Sequence, residues 1–197
     1  VDSGDLLPEE AKELGLYANL YQLVDEQAEL ADQLRHIRLD TLPGGNITTL
    51  KDLVALEKDD WLLALEKLDV EPPAGMSPAD YALRLSKKIS HHFPTDTLMA
   101  RLGKKATNKK AGSTFNLLQT FNANNPKSEL LKIDYSHGSP ALDELNFDGL
   151  SEKEQQTVLG EMKSYHRMFG LTNDVDDALG LKENGFSSCT DVVRNGF

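Results

Sequence analysis

Apolar residues recur along this chain at helical spacing almost from the start. Leu14, Tyr17, Tyr21, Val24, Ala28 and Ala31 follow one another at three- and four-residue steps. Such steps place side chains on one face of a helix. The stripe runs to about Leu34 and begins after Pro8-Glu9-Glu10, a proline and two carboxylates suited to a first helical turn. One long amphipathic helix is therefore predicted, ending in the plain break "TLPGGN" at residues 41 to 46.

Beyond the break the pattern stays helical but the pieces shorten. A helix is predicted from the Thr48/Thr49 cap to about Leu56. Another follows Asp59-Asp60 and carries Trp61, Leu65 and Leu68, and "EPPAGM" stops it. Ser77-Pro78-Ala79-Asp80 reads as a cap, a first-turn proline and an early carboxylate, leading into a face of Tyr81, Leu85 and Ile89 to about His92. Phe93-Pro94-Thr95 restarts the chain through Leu102, and Ser113 or Thr114 caps "FNLLQTFNA". Leu131 to Tyr135 is the one strand-like stretch, too short to take as more than loop. Ser151-x-x-Glu154 is a capping box before Val158, Met162, Tyr165 and Phe169, with Gly170 expected to close that helix and Thr172 to cap the next. These elements predict an all-α fold: an irregular bundle of about eight to ten short helices. Composition shifts divide it at 1–44, 45–112 and 113–197.

One phrase occurs twice. "GNITTLKDLVAL" at 45 to 56 matches "GFSSCTDVVRNG" at 185 to 196. In register, Ile47 meets Phe186, Thr48-Thr49 meets Ser187-Ser188, Asp52 meets Asp191, and Leu53 meets Val192. A large apolar residue before a hydroxyl pair, with an acid in the first turn, is a staple plus cap. The phrase is thus legible as a way of starting a packed helix, with no ligand required.

Charge and composition narrow the chemistry. The net charge is −11, with 39% hydrophobic residues. That suffices for a core and disfavours phosphate backbones unless charge is segregated. Lys104, Lys105, Lys109 and Lys110 form one basic cluster, expected to be a solvated loop or an anion-binding loop. The longest apolar run, Trp61 to Leu65, falls far short of the roughly 18 residues a membrane span needs. A single cysteine, Cys189, permits no internal disulfide and is expected to be a small buried hydrophobe. "VDSGDLLPEE" has no signal-peptide pattern, and the lack of an initiator Met leads us to expect a piece of something longer.

Catalytic and metal motifs are thin. His91 and His92 are adjacent and so point about 100° apart on a helix, unlike a metal-binding i, i+4 pair. His92 with Asp96 reads as a surface or capping contact. His137 beside Ser136 and Ser139 is adjacency in sequence, not nucleophile–base geometry. The aspartates of "NDVDDALG" lack a calcium loop's sixth-position glycine and twelfth-position glutamate, where Leu179 and Gly185 stand. No catalytic residue, metal ligand set or cofactor is expected. One alternative has a hook: Pro43-Gly44-Gly45-Asn46 before "ITTLKDLVAL" is like the turn of a helix–hairpin–helix nucleic-acid-binding module. Asp40, Asp52, Glu57, Asp59 and Asp60 around it oppose phosphate.

Taken in order, several phrases resemble the helical shell region of the large A component of Tc toxin complexes. They are Thr49-Leu50-Lys51-Asp52-Leu53, Asp59-Asp60-Trp61, Tyr81-Ala82, Phe93-Pro94-Thr95, Arg167-Met168-Phe169-Gly170-Leu171 and Gly185-Phe186-Ser187-Ser188. The resemblance covers residues 45 to 197 and implies a non-catalytic structural or interaction module, without a cofactor. It implies a secreted or surface-displayed full-length protein and partners among other domains or subunits of a toxin complex. Homo-oligomerisation is then expected only in the full-length context, with no membrane insertion by this segment. The motif residues it singles out are structural: Ile47, Thr48, Thr49, Asp52, Leu53, Trp61, Tyr81, Phe93, Pro94, Phe186, Ser187, Ser188 and Asp191.

Overall fold

The structure, a computed structural model, describes residues 7–38, 45–106 and 109–194. It is all-α: among the described residues there are ten α-helices and two 3-10 helices, and the sole extended pairing is an isolated bridge between Arg38 and Asn46. The chain divides between His92 and Phe93 into two compact units. The divisions expected at 44/45 and 112/113 both fall inside these units.

The first unit holds α1 (Pro8–Leu23), α2 (Ala28–His36), a 3-10 turn at Leu50–Ala55, α3 (Lys58–Lys67) and α4 (Pro78–His92). α4 is its spine and packs against α1, α3 and the 3-10 turn. Its inner face (Tyr81, Ala82, Leu85, Ser86, Ile89 and Ser90) is buried. The single long helix expected to reach Leu34 is instead two. Asp25 and Glu26 adopt left-handed backbone (φ 58° and 66°), which reverses the chain between α1 and α2. Non-glycine residues rarely adopt that conformation unless their surroundings stabilise it. Here α4 does so. Arg84 and Lys88 both pair with the Asp25 carboxylate, Lys88 Nζ donates to the Leu23 carbonyl, and the Tyr81 hydroxyl donates to the Val24 carbonyl at 3.0 Å. The terminal carbonyls of α1, which a helix end leaves without partners, are satisfied from another helix. Burial and then the nearby Asp25 charge push the Tyr81 hydroxyl up to about 12, so it stays a proton donor.

The second unit comprises α5 (Pro94–Lys105), α6 (Lys109–Asn124), a 3-10 turn at Leu130–Lys132, α7 (Pro140–Asp143), α8 (Glu152–Thr172), α9 (Val175–Glu183) and α10 (Cys189–Arg194). α8 is the hub, burying Val158, Met162, Tyr165, Met168 and Phe169 against α6, α9 and the 3-10 turn. Phe121 is fully buried and stacks on Phe147 with centroids 4.9 Å apart. Buried Asn125 fixes that arrangement. Its amide donates to the carbonyls of Phe121 and Asn146 and accepts from the Asn146 N–H.

Several boundaries differ from those expected. α5 runs on to Lys105 and α6 already begins at Lys109, so Ser113 and Thr114 lie inside a helix and do not cap it. Gly170 sits within α8. The helix ends at Asn173, whose left-handed backbone (φ 52°) terminates it as an asparagine can. Asp174, not Thr172, caps α9 by accepting from the Asp177 N–H at 3.0 Å. Leu131 to Tyr135, by contrast, forms no strand, as expected.

Candidate functional site

The twice-used phrase builds the same object twice. At the first copy, the Asp52 carboxylate accepts from the Thr48 N–H, the Thr48 hydroxyl and the Thr49 N–H at 2.8 to 2.9 Å. At the second, Asp191 accepts from the Ser187 N–H at 3.0 Å and the Ser187 hydroxyl at 2.9 Å, while its own N–H donates to Ser188 Oγ at 3.2 Å. Ile47 and Phe186 are buried just ahead of each bracket, and Leu53 is buried inside the first. The same back-reaching acid recurs elsewhere: Glu10 to the Leu7 N–H, Asp60 to the Glu57 N–H, and Glu154 to the Ser151 N–H. Ser77 and Asp80 form a hydroxyl-linked version at the start of α4. The bracket is a general helix starter in this chain.

These bonds act on the charged form of each acid. Partial burial works to raise the Asp52 carboxyl, but the bonds from Thr48 and Thr49 outweigh it and hold it below its ordinary value. The Ser187 N–H bond does the same for Asp191, the Ser151 hydroxyl for Glu154, and the Ser136 N–H for Asp134. A carboxyl lowered in the folded state adds stability that is fully present above its unfolded value and lost as pH falls through the folded one. We therefore expect the stability these brackets contribute to be constant above the ordinary carboxylate range and to decline below about pH 4 as they protonate. Asp52→Ala should cost about 1 kcal/mol at neutral pH and flatten part of that acid limb, as read by urea unfolding across pH.

The remaining motif residues are core anchors or helix starts. Trp61 and Tyr81 are fully buried, Pro94 opens α5, and Phe93 stands at its N-cap. The lysine cluster is not a single loop. Lys104 and Lys105 lie in the last turn of α5 and Lys109 and Lys110 in the first turn of α6; residues 107 and 108, and the side chains of Lys109 and Lys110, lie outside the described ones. Lys105 pairs with Glu183 at 2.6 Å. The side chain of Cys189 also lies outside the described ones.

Beside His137 and at His166 the described contacts are local ties. The Ser136 hydroxyl donates to Asp134 at 2.8 Å, closing a local turn beside His137. His166 Nδ1 contacts the Leu131 carbonyl at 2.8 Å, a structural tie between α8 and the 3-10 turn. Among the described residues, no group of three histidine, cysteine or acidic side chains is placed to hold a metal ion, and no helix is long and apolar enough to cross a membrane. Of the proposed phosphate-binding turn, Pro43 and Gly44 lie outside the described residues. The Thr48 and Thr49 amides that follow it already donate to Asp52.

One surface feature was not singled out from the sequence: a groove of about 810 Å³ between α1 and α4. Its signal was present in "LRLSKKISHH", where Arg84, Lys87, Lys88 and His91 recur at one-face spacing. Leu23, Leu50, Leu83 and Ile89 supply its apolar lining. No family model, curated protein or solved structure matches the chain.

Proposed function

We propose that this chain is a non-catalytic structural module of a large toxin-delivery protein of the Tc A-component kind, contributing to a helical shell or to the binding of partner subunits. The observation that carries this is where the family-like phrases fall. In order, they coincide with helix starts and buried anchors: the Thr49–Asp52 start, Trp61, Tyr81, the Phe93-Pro94 entry to α5 and the Phe186–Ser188 bracket. The residues that define the resemblance are those that hold helices in place, as a wall-forming part requires. The complete protein would be secreted or surface-displayed, its partners being other domains or subunits of the same machine.

The test begins with the complete gene. Its product, purified and imaged by electron microscopy, should be a large assembly with this segment in an outer helical layer. A product with no such assembly overturns the proposal. Against a nucleic-acid role, the expectation is equally direct. Labelled duplex DNA mixed with the chain at low salt should show no anisotropy change, because an acidic surface repels phosphate and the Thr48/Thr49 amides are occupied. Tight binding that weakens steeply with added salt would favour the helix–hairpin–helix alternative.

A further inference from the structure

Asn184 and Gly185 follow the last turn of α9, and both are exposed to water. Asparagine is a thermolabile side chain, and its neighbour here sharpens that property. The Gly185 nitrogen can attack the Asn184 Cγ, forming a Cγ–N bond while the Cγ–Nδ2 bond breaks. Ammonia leaves with the proton that the backbone nitrogen gives up. Water then opens the cyclic imide at either carbonyl, leaving aspartate or isoaspartate. Glycine has no Cβ to obstruct the ring closure.

The fold opposes each part of that step. At ψ 11° the Asn184 backbone turns the Gly185 nitrogen away from the Asn184 side chain. The Gly185 N–H donates to the Lys182 carbonyl at 3.0 Å, and the Asn184 amide donates to the Gly180 carbonyl at 2.8 Å. Nucleophile and target carbon are thus held apart by the closing turn of α9. We propose that Asn184 is a self-deamidation site that this turn keeps shut, reacting only when the turn opens. Helix ends open locally at less cost than a core does. The product then loosens what restrained it. A carboxylate has no donor for the Gly180 carbonyl, and it adds negative charge beside Glu183 at a helix C-terminus, where such charge is unfavourable. Isoaspartate also inserts a methylene into the chain just before buried Phe186. The change is one-way and is independent of the proposed shell role.

Peptide mapping by mass spectrometry tests this on the chain held at mildly alkaline pH. Residue-level assignment separates Asn184 from Asn195-Gly196, the same pair outside the described residues. Deamidation at Asn184 should be at least about tenfold slower in the folded chain than in concentrated urea, because only the open fraction reacts. Asn184→Asp supplies the product side chain at an exposed position. It should keep its helical circular dichroism while hydrogen-exchange protection at the C-terminal end of α9 falls about tenfold. Equal rates in the folded chain and in urea, no reaction at Asn184 in urea, or unchanged protection in Asn184→Asp would each overturn the proposal.

Discussion

Trp61→Ala should destabilise the first unit by about 3–5 kcal/mol, the cost of removing a large side chain from a core that cannot collapse around the void. Trp61 is fully buried on α3, the helix packed most extensively along α4. Its indole N–H makes no hydrogen bond among the described residues. The ring's contribution is therefore shape and apolar area. Trp61→Phe should accordingly cost no more than about 1.5 kcal/mol, since it keeps an apolar ring and removes a donor that gains nothing. Urea unfolding followed by circular dichroism separates the two variants. Hydrogen exchange should locate the lost protection in α3 and α4. Equal losses for the alanine and phenylalanine variants would mean that the indole N–H has a role the structure does not give it.

Phe121→Ala should be comparably severe for the second unit, at about 3–5 kcal/mol. The substitution removes a fully buried ring and unstacks Phe147, which Asn125 holds in position by tying the end of α6 to Asn146. The two effects are coupled, so Phe121→Ala combined with Asn125→Ala should cost less than the sum of the separate losses. Thermal unfolding of the single and double variants measures this. A strictly additive result would show that the amide and the ring act independently.

Much of this arrangement was legible in the sequence because it is local. A hydroxyl or chain N–H with an acid three or four residues on starts a helix wherever it stands. Trp61, Tyr81 and Leu53 sit on the expected inner faces, and Phe186 is buried just before its hydroxyl pair, for the same reason. What periodicity could not reveal depends on distant partners. The apolar rhythm from Leu14 through Val24 to Ala31 runs unbroken across the corner at Asp25 and Glu26, although the structure buries Val24 and Ala31 and leaves Leu14 and Ala28 exposed. Only Lys88, Arg84 and Tyr81, far along the chain, decide that the backbone turns there. Gly170 misled in the opposite sense: packing of Met168 and Phe169 carries α8 past it to Asn173. The groove was missed because its two sides come from helices that are distant in sequence.

That corner also sets an order of events. Asp25 is held by a lysine 63 positions downstream, so a nascent chain leaving the ribosome exposes the bend long before its clamp exists. The periodicity of residues 8 to 36 taken alone predicts one continuous rod. The contacts that hold the hairpin come from α4, so they can form only after residues 81 to 88 have been made.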